Sequence, residues 1–132
     1  MVNVKGLYDD KDQLLFLSSL TASNSMMGFI FWIGVVSGLR ISDILKLKIS
    51  DLTFSTFKVT ENKTKKEKWI TLPDDCFLQL SNYILKLKSN GRLDSSPLFP
   101  VTRQTVHKYF TETATILGFT LISPHSMRKT FA

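Results

Sequence analysis

The sequence predicts a mainly helical α+β domain carrying one small antiparallel β-hairpin or three-stranded sheet. Three observations predict it. Apolar residues recur at helical spacing in three separate stretches, a fourth stretch is apolar on every side, and two runs of alternating apolar and polar residues flank a lysine-rich tip. The 132 residues suffice for a single domain with a real core, and 43% apolar against 21% charged residues argues against disorder. A net charge of +6 favours polyanionic partners, without separating DNA from RNA or an anionic membrane surface.

Taken in order, Asp9 or Asp10 caps a first helix whose apolar face is Leu14, Leu15, Leu17 and Leu20, broken at Thr21-Ala22-Ser23-Asn24. The run from Met26 to Leu39 is apolar all round but falls short of the about 20 residues that cross a bilayer. It predicts a buried central helix and no membrane span. At its end stands Ser37-Gly38-Leu39-Arg40-Ile41-Ser42-Asp43, where Gly38 ends one helix, Ser42 caps the next, and Ile44, Leu45 and Leu47 supply the new helix's buried face. Arg40 is therefore expected at a seam between two rigid elements.

Lys48 to Leu52 predicts a short irregular link, after which Phe54 to Thr60 and Lys68 to Leu72 alternate as paired strands do. Glu61-Asn62-Lys63-Thr64-Lys65-Lys66-Glu67 forms the hairpin tip. Pro73-Asp74-Asp75 opens a helix with acids against its N-terminal dipole and an apolar side of Phe77, Leu78, Leu80, Ile84, Leu85 and Leu87. Ser89 to Pro97 is the clearest loop, and Leu98-Phe99-Pro100 returns to the core. Thr102 caps a last helix through about Leu117, closed by Gly118. Cys76 has no partner for an internal disulfide and reads as a core residue; with no signal-peptide pattern over Met1 to Tyr8, this fits a cytoplasmic protein.

Near the other end, Ser123-Pro124-His125-Ser126-Met127-Arg128-Lys129-Thr130-Phe131-Ala132 places a histidine and an arginine three apart, hence on one helix face. Three motifs then stand in order: Gly38-Leu39-Arg40-Ile41-Ser42-Asp43, Lys63-Thr64, and this last segment. Together they resemble the first arginine box, hairpin lysine and second box of the catalytic domain of tyrosine recombinases, or phage-type integrases. The acidic position of the first box is more often glutamate in that family. The resemblance extends over nearly the whole chain and implies the same mainly helical core with its small sheet.

The resemblance implies site-specific recombination and integration of DNA. A tyrosine hydroxyl attacks a phosphodiester and conserves the bond as a 3′-phosphotyrosyl link, with no cofactor and no metal. Double-stranded DNA and other recombinase subunits are the implied partners. Arg40 and Arg128 would hold the non-bridging oxygens, where charge develops during displacement. His125 would donate to the phosphate or move a proton, as its ordinary pKa permits. Lys63 would protonate the departing 5′-oxygen, with Lys65 the alternative on a count back from Pro73.

Asp43 would orient a site cation or the histidine, unless it is an ordinary helix N-terminal acid. Lys46, Lys48, Lys66, Lys86, Arg103 and Lys108, with Lys88 and Arg92, would supply phosphate contacts that position DNA without reading its sequence. His107 reads as a surface residue. Tyr8, Tyr83 and Tyr109 all precede the second box, and none occupies the family's nucleophile position. The expectation is thus one incomplete catalytic domain spanning residues 1–132 and inactive alone. The alternative is a non-catalytic DNA-binding or regulatory relative.

Overall fold

The computed structural model describes residues 10–119. Its elements run α1 (Asp10–Ser23), α2 (Ser25–Ser37), α3 (Ile41–Ile44), a 3₁₀ turn (Ile49–Leu52), β1 (Thr56–Thr60), β2 (Glu67–Thr71), α4 (Asp74–Ser89) and α5 (Arg103–Leu117). The order matches the expected mainly helical domain with a hairpin. Among the described residues the sheet has two strands, which form the expected hairpin.

Helix α2 is the centre, as its all-round apolarity requires. Asn24 starts it, its side chain accepting from the backbone N–H groups of Met26 at 3.0 Å and Met27 at 3.4 Å. Met27, Ile30, Phe31 and Ile33 are buried, and Gly28 lets α1 approach so closely that a Cβ there would collide with Thr21. Phe16 of α1 lies 4.9 Å from Phe31 and 5.7 Å from Phe110, centroid to centroid, which locks α1, α2 and α5 into one aromatic hub. Phe29 and Tyr83, 5.0 Å apart, tie α4 to the other side of α2.

Two helices bury different faces from those the spacing suggested. In α1 the buried residues are Phe16 and Leu20, with Leu14 and Leu15 left 64% and 47% exposed. The helix is apolar on more than one side, and the larger phenyl ring, meeting two others, takes the core position. In α4 the residues Cys76, Leu80 and Ile84, four apart, face inward, while Leu78 and Leu85 point to solvent. Burial pushes the Cys76 thiol up to about 12, with the Asp75 carboxylate adding to the effect.

The strands are shorter than their alternating pattern. Phe54 stands 73% exposed before β1, and Glu67 joins β2 instead of the tip. Thr56, Lys58 and Thr60 pair with Thr71, Trp69 and Glu67 on the outer face, while Phe57, Val59 and Ile70 face the core. The link after Leu47 is the 3₁₀ turn, where Asp51 accepts from the Lys48 backbone N–H at 2.9 Å. Thr102 and Gly118 bound α5 as the sequence indicates, Gly118 in the left-handed region at φ 77. No helix among the described residues is long and apolar enough to cross a membrane.

Candidate active site

The turn that carries Arg40 is built by its own sequence. Gly38 adopts φ 70, which glycine takes without strain, and its N–H bonds the Gly34 carbonyl at 2.9 Å to close α2. The Ser37 hydroxyl donates to the Ile33 carbonyl and accepts from the Leu39 N–H, bracing the turn from inside. Leu39 and Ile41 are buried on either side, so Arg40 leaves the core between two anchored residues. Arg40 itself is the N-cap residue of α3, and no side chain caps that helix; Ser42, expected there, lies inside the helix. Four residues leave little room for a separate cap.

The hairpin is fastened to this turn. Nη1 of Arg40 donates to Oε2 of Glu61 at 3.3 Å, a pair whose side chains are 25% and 14% exposed. Asp43, fully buried, accepts the Asn62 backbone N–H at 3.0 Å through Oδ1, which also lies 3.3 Å from Nζ of Lys46. Lys46 reaches on to the Thr60 carbonyl at 2.9 Å and Oδ1 of Asn62 at 3.0 Å. From β2, Nζ of Lys68 donates to the Ser37 carbonyl at 2.8 Å. Oδ2 of Asp43 is buried and, among the described residues, has no hydrogen-bond partner.

Beyond this clamp the tip turns within itself. The Lys65 N–H bonds the Glu61 carbonyl and the Glu61 N–H bonds the Lys66 carbonyl, both at 2.9 Å. Lys65 holds φ 59 to complete the reversal. Lys63, Lys65 and Lys66 are all exposed, Lys63 directly following the residue that Asp43 holds. The root of the lysine tip is thus tied to Arg40 and, beneath it, to the buried Asp43. His125 and Arg128 lie outside the described residues.

The phage integrase family model matches residues 5–132. The chain belongs to the phage integrase family. It is 34% identical to the probable integrase/recombinase YoeC of Bacillus subtilis (strain 168), over 78% of this chain and 59% of that protein. Among solved structures, XerA recombinase superposes with a TM-score of 0.72 at 24% identity, covering 98% of this chain and 48% of its own. A lambda integrase tetramer bound to a Holliday junction gives a TM-score of 0.74 at 19% identity, covering 99% of this chain and 40% of its own. The fold is therefore that of the integrase catalytic core, and the chain spans about three fifths of YoeC and half of XerA.

Within this integrase fold the other basic residues named from sequence are dispersed. Lys48 is exposed beside the 3₁₀ turn, Lys86 is exposed near the end of α4, and Arg103 and Lys108 are exposed on α5. Lys88 pairs with Asp94 at 2.7 Å, and Arg92 donates to the Pro97 carbonyl. Lys46, by contrast, is drawn into the hairpin clamp. His107 is exposed, its Nε2 3.5 Å from the Thr111 hydroxyl.

Tyr83 packs among Phe29 and Phe99, and burial raises its hydroxyl above the ordinary value against a smaller opposing effect of Arg92. Tyr109 is half-buried against the core.

Sequence reasoning missed Glu61, Asn62 and Lys68. Lys68 carried a legible signal: it pairs with Val59 and so occupies the inward face of the hairpin, where a lysine needs a polar partner. Glu61 and Asn62 carried none, since the polar tip looked uniformly solvated.

Proposed function

We propose that this chain supplies the phosphate-binding part of a tyrosine recombinase strand-exchange site, in one incomplete catalytic domain. The observation that supports it most is the joining of Arg40, on a turn rooted in the core, to the lysine tip through Asp43, Lys46 and Glu61. Arg40 and Arg128 would grip the non-bridging oxygens of one phosphodiester. Guanidiniums suit that role because two parallel N–H donors match two oxygens and cannot lose their charge. The likeness to an integrase tetramer on a Holliday junction supports duplex DNA and further recombinase subunits as partners.

In the reaction, a tyrosine oxygen bonds to phosphorus as the P–O5′ bond breaks. Lys63 gives a proton to the leaving oxygen and becomes neutral, while His125 donates to the phosphate or relays the phenol's proton. Lys63 is favoured over Lys65 because its neighbour Asn62 is the residue tied to Asp43. Oδ2 of Asp43, without a partner among the described residues, would be available to accept from Arg128 or His125, which favours a supporting role for Asp43. Tyr83 and Tyr109 are partly buried against the core and Tyr8 lies outside the described residues, which supports a reading in which the attacking tyrosine is none of these three. Lys48, Lys66, Lys86, Arg103 and Lys108 add phosphate contacts, with Lys46 acting first on the hairpin.

Titrating duplex DNA with the chain across a salt series, followed by fluorescence anisotropy, tests this reading. Binding that falls with salt, and that Arg40→Gln and Arg128→Gln each weaken, is expected, with no adduct surviving denaturation. A covalent adduct would overturn the assignment of the nucleophile. The packing of both described tyrosines also favours a second reading, a non-catalytic DNA-binding relative. There the two arginine changes would leave binding intact, and changes at Arg103 and Lys108 would weaken it.

A further inference from the structure

We propose that Glu61 is a positioning residue of this site: it holds the Arg40 guanidinium in place before DNA arrives and is exchanged for a DNA phosphate on binding. The inference rests on the reading of Arg40 as a phosphate ligand. Glu61 meets Arg40 through a single contact at 3.3 Å, and its side chain is only 14% exposed. Long side chains on a surface ordinarily wander, and pairing one with a carboxylate from a neighbouring element removes that freedom in advance.

The contact is built to be replaced. One N–H···O bond of this length is weaker than the two-pronged grip that a phosphodiester offers through two oxygens. Carboxylate and phosphate carry the same sign, so one guanidinium cannot serve both without repulsion, and the Glu61 side chain must swing away. The hairpin need not follow. Its fastening by Asn62 to Asp43, by Thr60 to Lys46 and by Lys68 to Ser37 does not involve the Glu61 carboxylate. Lys63 therefore stays beside the site while Arg40 changes partners.

This exchange has a signature in affinity. Arg40 neutralises the same DNA phosphate whether or not Glu61 is present, so the slope of log affinity against log salt stays as in the wild type, and loss of the competing carboxylate shows as a gain in affinity.

Binding of duplex DNA is measured for wild type, Glu61→Gln, Glu61→Asp, Arg40→Gln and the Arg40→Gln/Glu61→Gln double variant. Glu61→Gln is expected to bind about threefold to fivefold tighter at low salt, in keeping with the strength of one partly exposed ion pair, with the salt slope unchanged. Glu61→Asp, one methylene shorter, is expected to fall between it and wild type. The gain should vanish in the Arg40→Gln background. A merely structural glutamate would give weaker binding, and that result overturns the proposal. So does a gain that persists without Arg40, which would be a general charge effect. If Arg40→Gln alone leaves wild-type binding unchanged, the phosphate-ligand reading itself falls.

Discussion

The two halves of the candidate site are held by different physics. Arg40 emerges from a turn whose neighbours Leu39 and Ile41 are buried and whose hydrogen bonds close inside the α2–α3 junction. The lysines of the tip are exposed and rest on a few polar contacts at the hairpin's root. Burial fixes the first for as long as the domain is folded. The second can loosen while the domain stays folded, because its clamp is local. On the proposed reading, the site would combine a rigid anchor with a proton donor on a looser mounting.

Removing support from beneath the anchor should have the largest effect. Phe16→Ala, which takes the ring from between Phe31 and Phe110, is expected to cost about 3–5 kcal/mol and to unfold anchor and tip together in denaturant titrations. Gly28→Ala, forcing α1 and α2 apart at Thr21, should cost about 1–3 kcal/mol with the same joint loss. Separate melting of the hairpin in either variant would break the distinction drawn above.

The clamp should behave otherwise. Asp43→Ala leaves the Asn62 N–H without its acceptor, at about 1–3 kcal/mol, and should speed amide exchange at Asn62 far more than in α2. Equal acceleration in α2 would make Asp43 part of the core support instead.

An effect confined to alkaline pH comes from Cys76. Its thiol sits at about 12 in the folded chain against 9.0 for the free group, so above pH 9 the unfolded chain releases a proton that the folded one keeps. Stability should therefore fall as pH rises from about 9 towards about 12, and Cys76→Ala should flatten that decline. Least affected should be Lys63→Ala, whose exposed side chain leaves the unfolding free energy within about 0.5 kcal/mol of wild type while removing the proposed acid.

Much of this was readable from the chain. The all-round apolar run of α2, Gly38 at its end, and Thr102 and Gly118 around α5 are local signals with local causes, and each appears where the residues put it. The faces of α1 and α4 were not, because several leucines competed and only packing against Phe31, Phe110 and the neighbours of Cys76 decides among them. At the site, Arg40 was legible from Gly38 as a residue at the seam between two helices. Its pairing with Glu61 was not, since residues 21 apart are joined by how the hairpin folds back, which no spacing rule encodes.

The most direct test of the central claim is an amide NMR titration of the isotopically labelled chain with short duplex DNA. The largest shifts are expected at Leu39 to Asp43 and Glu61 to Lys66, with α1 and the outer face of α4 unmoved. Shifts concentrated on α4 around Leu78 and Leu85, with the Arg40 turn silent, would contradict it.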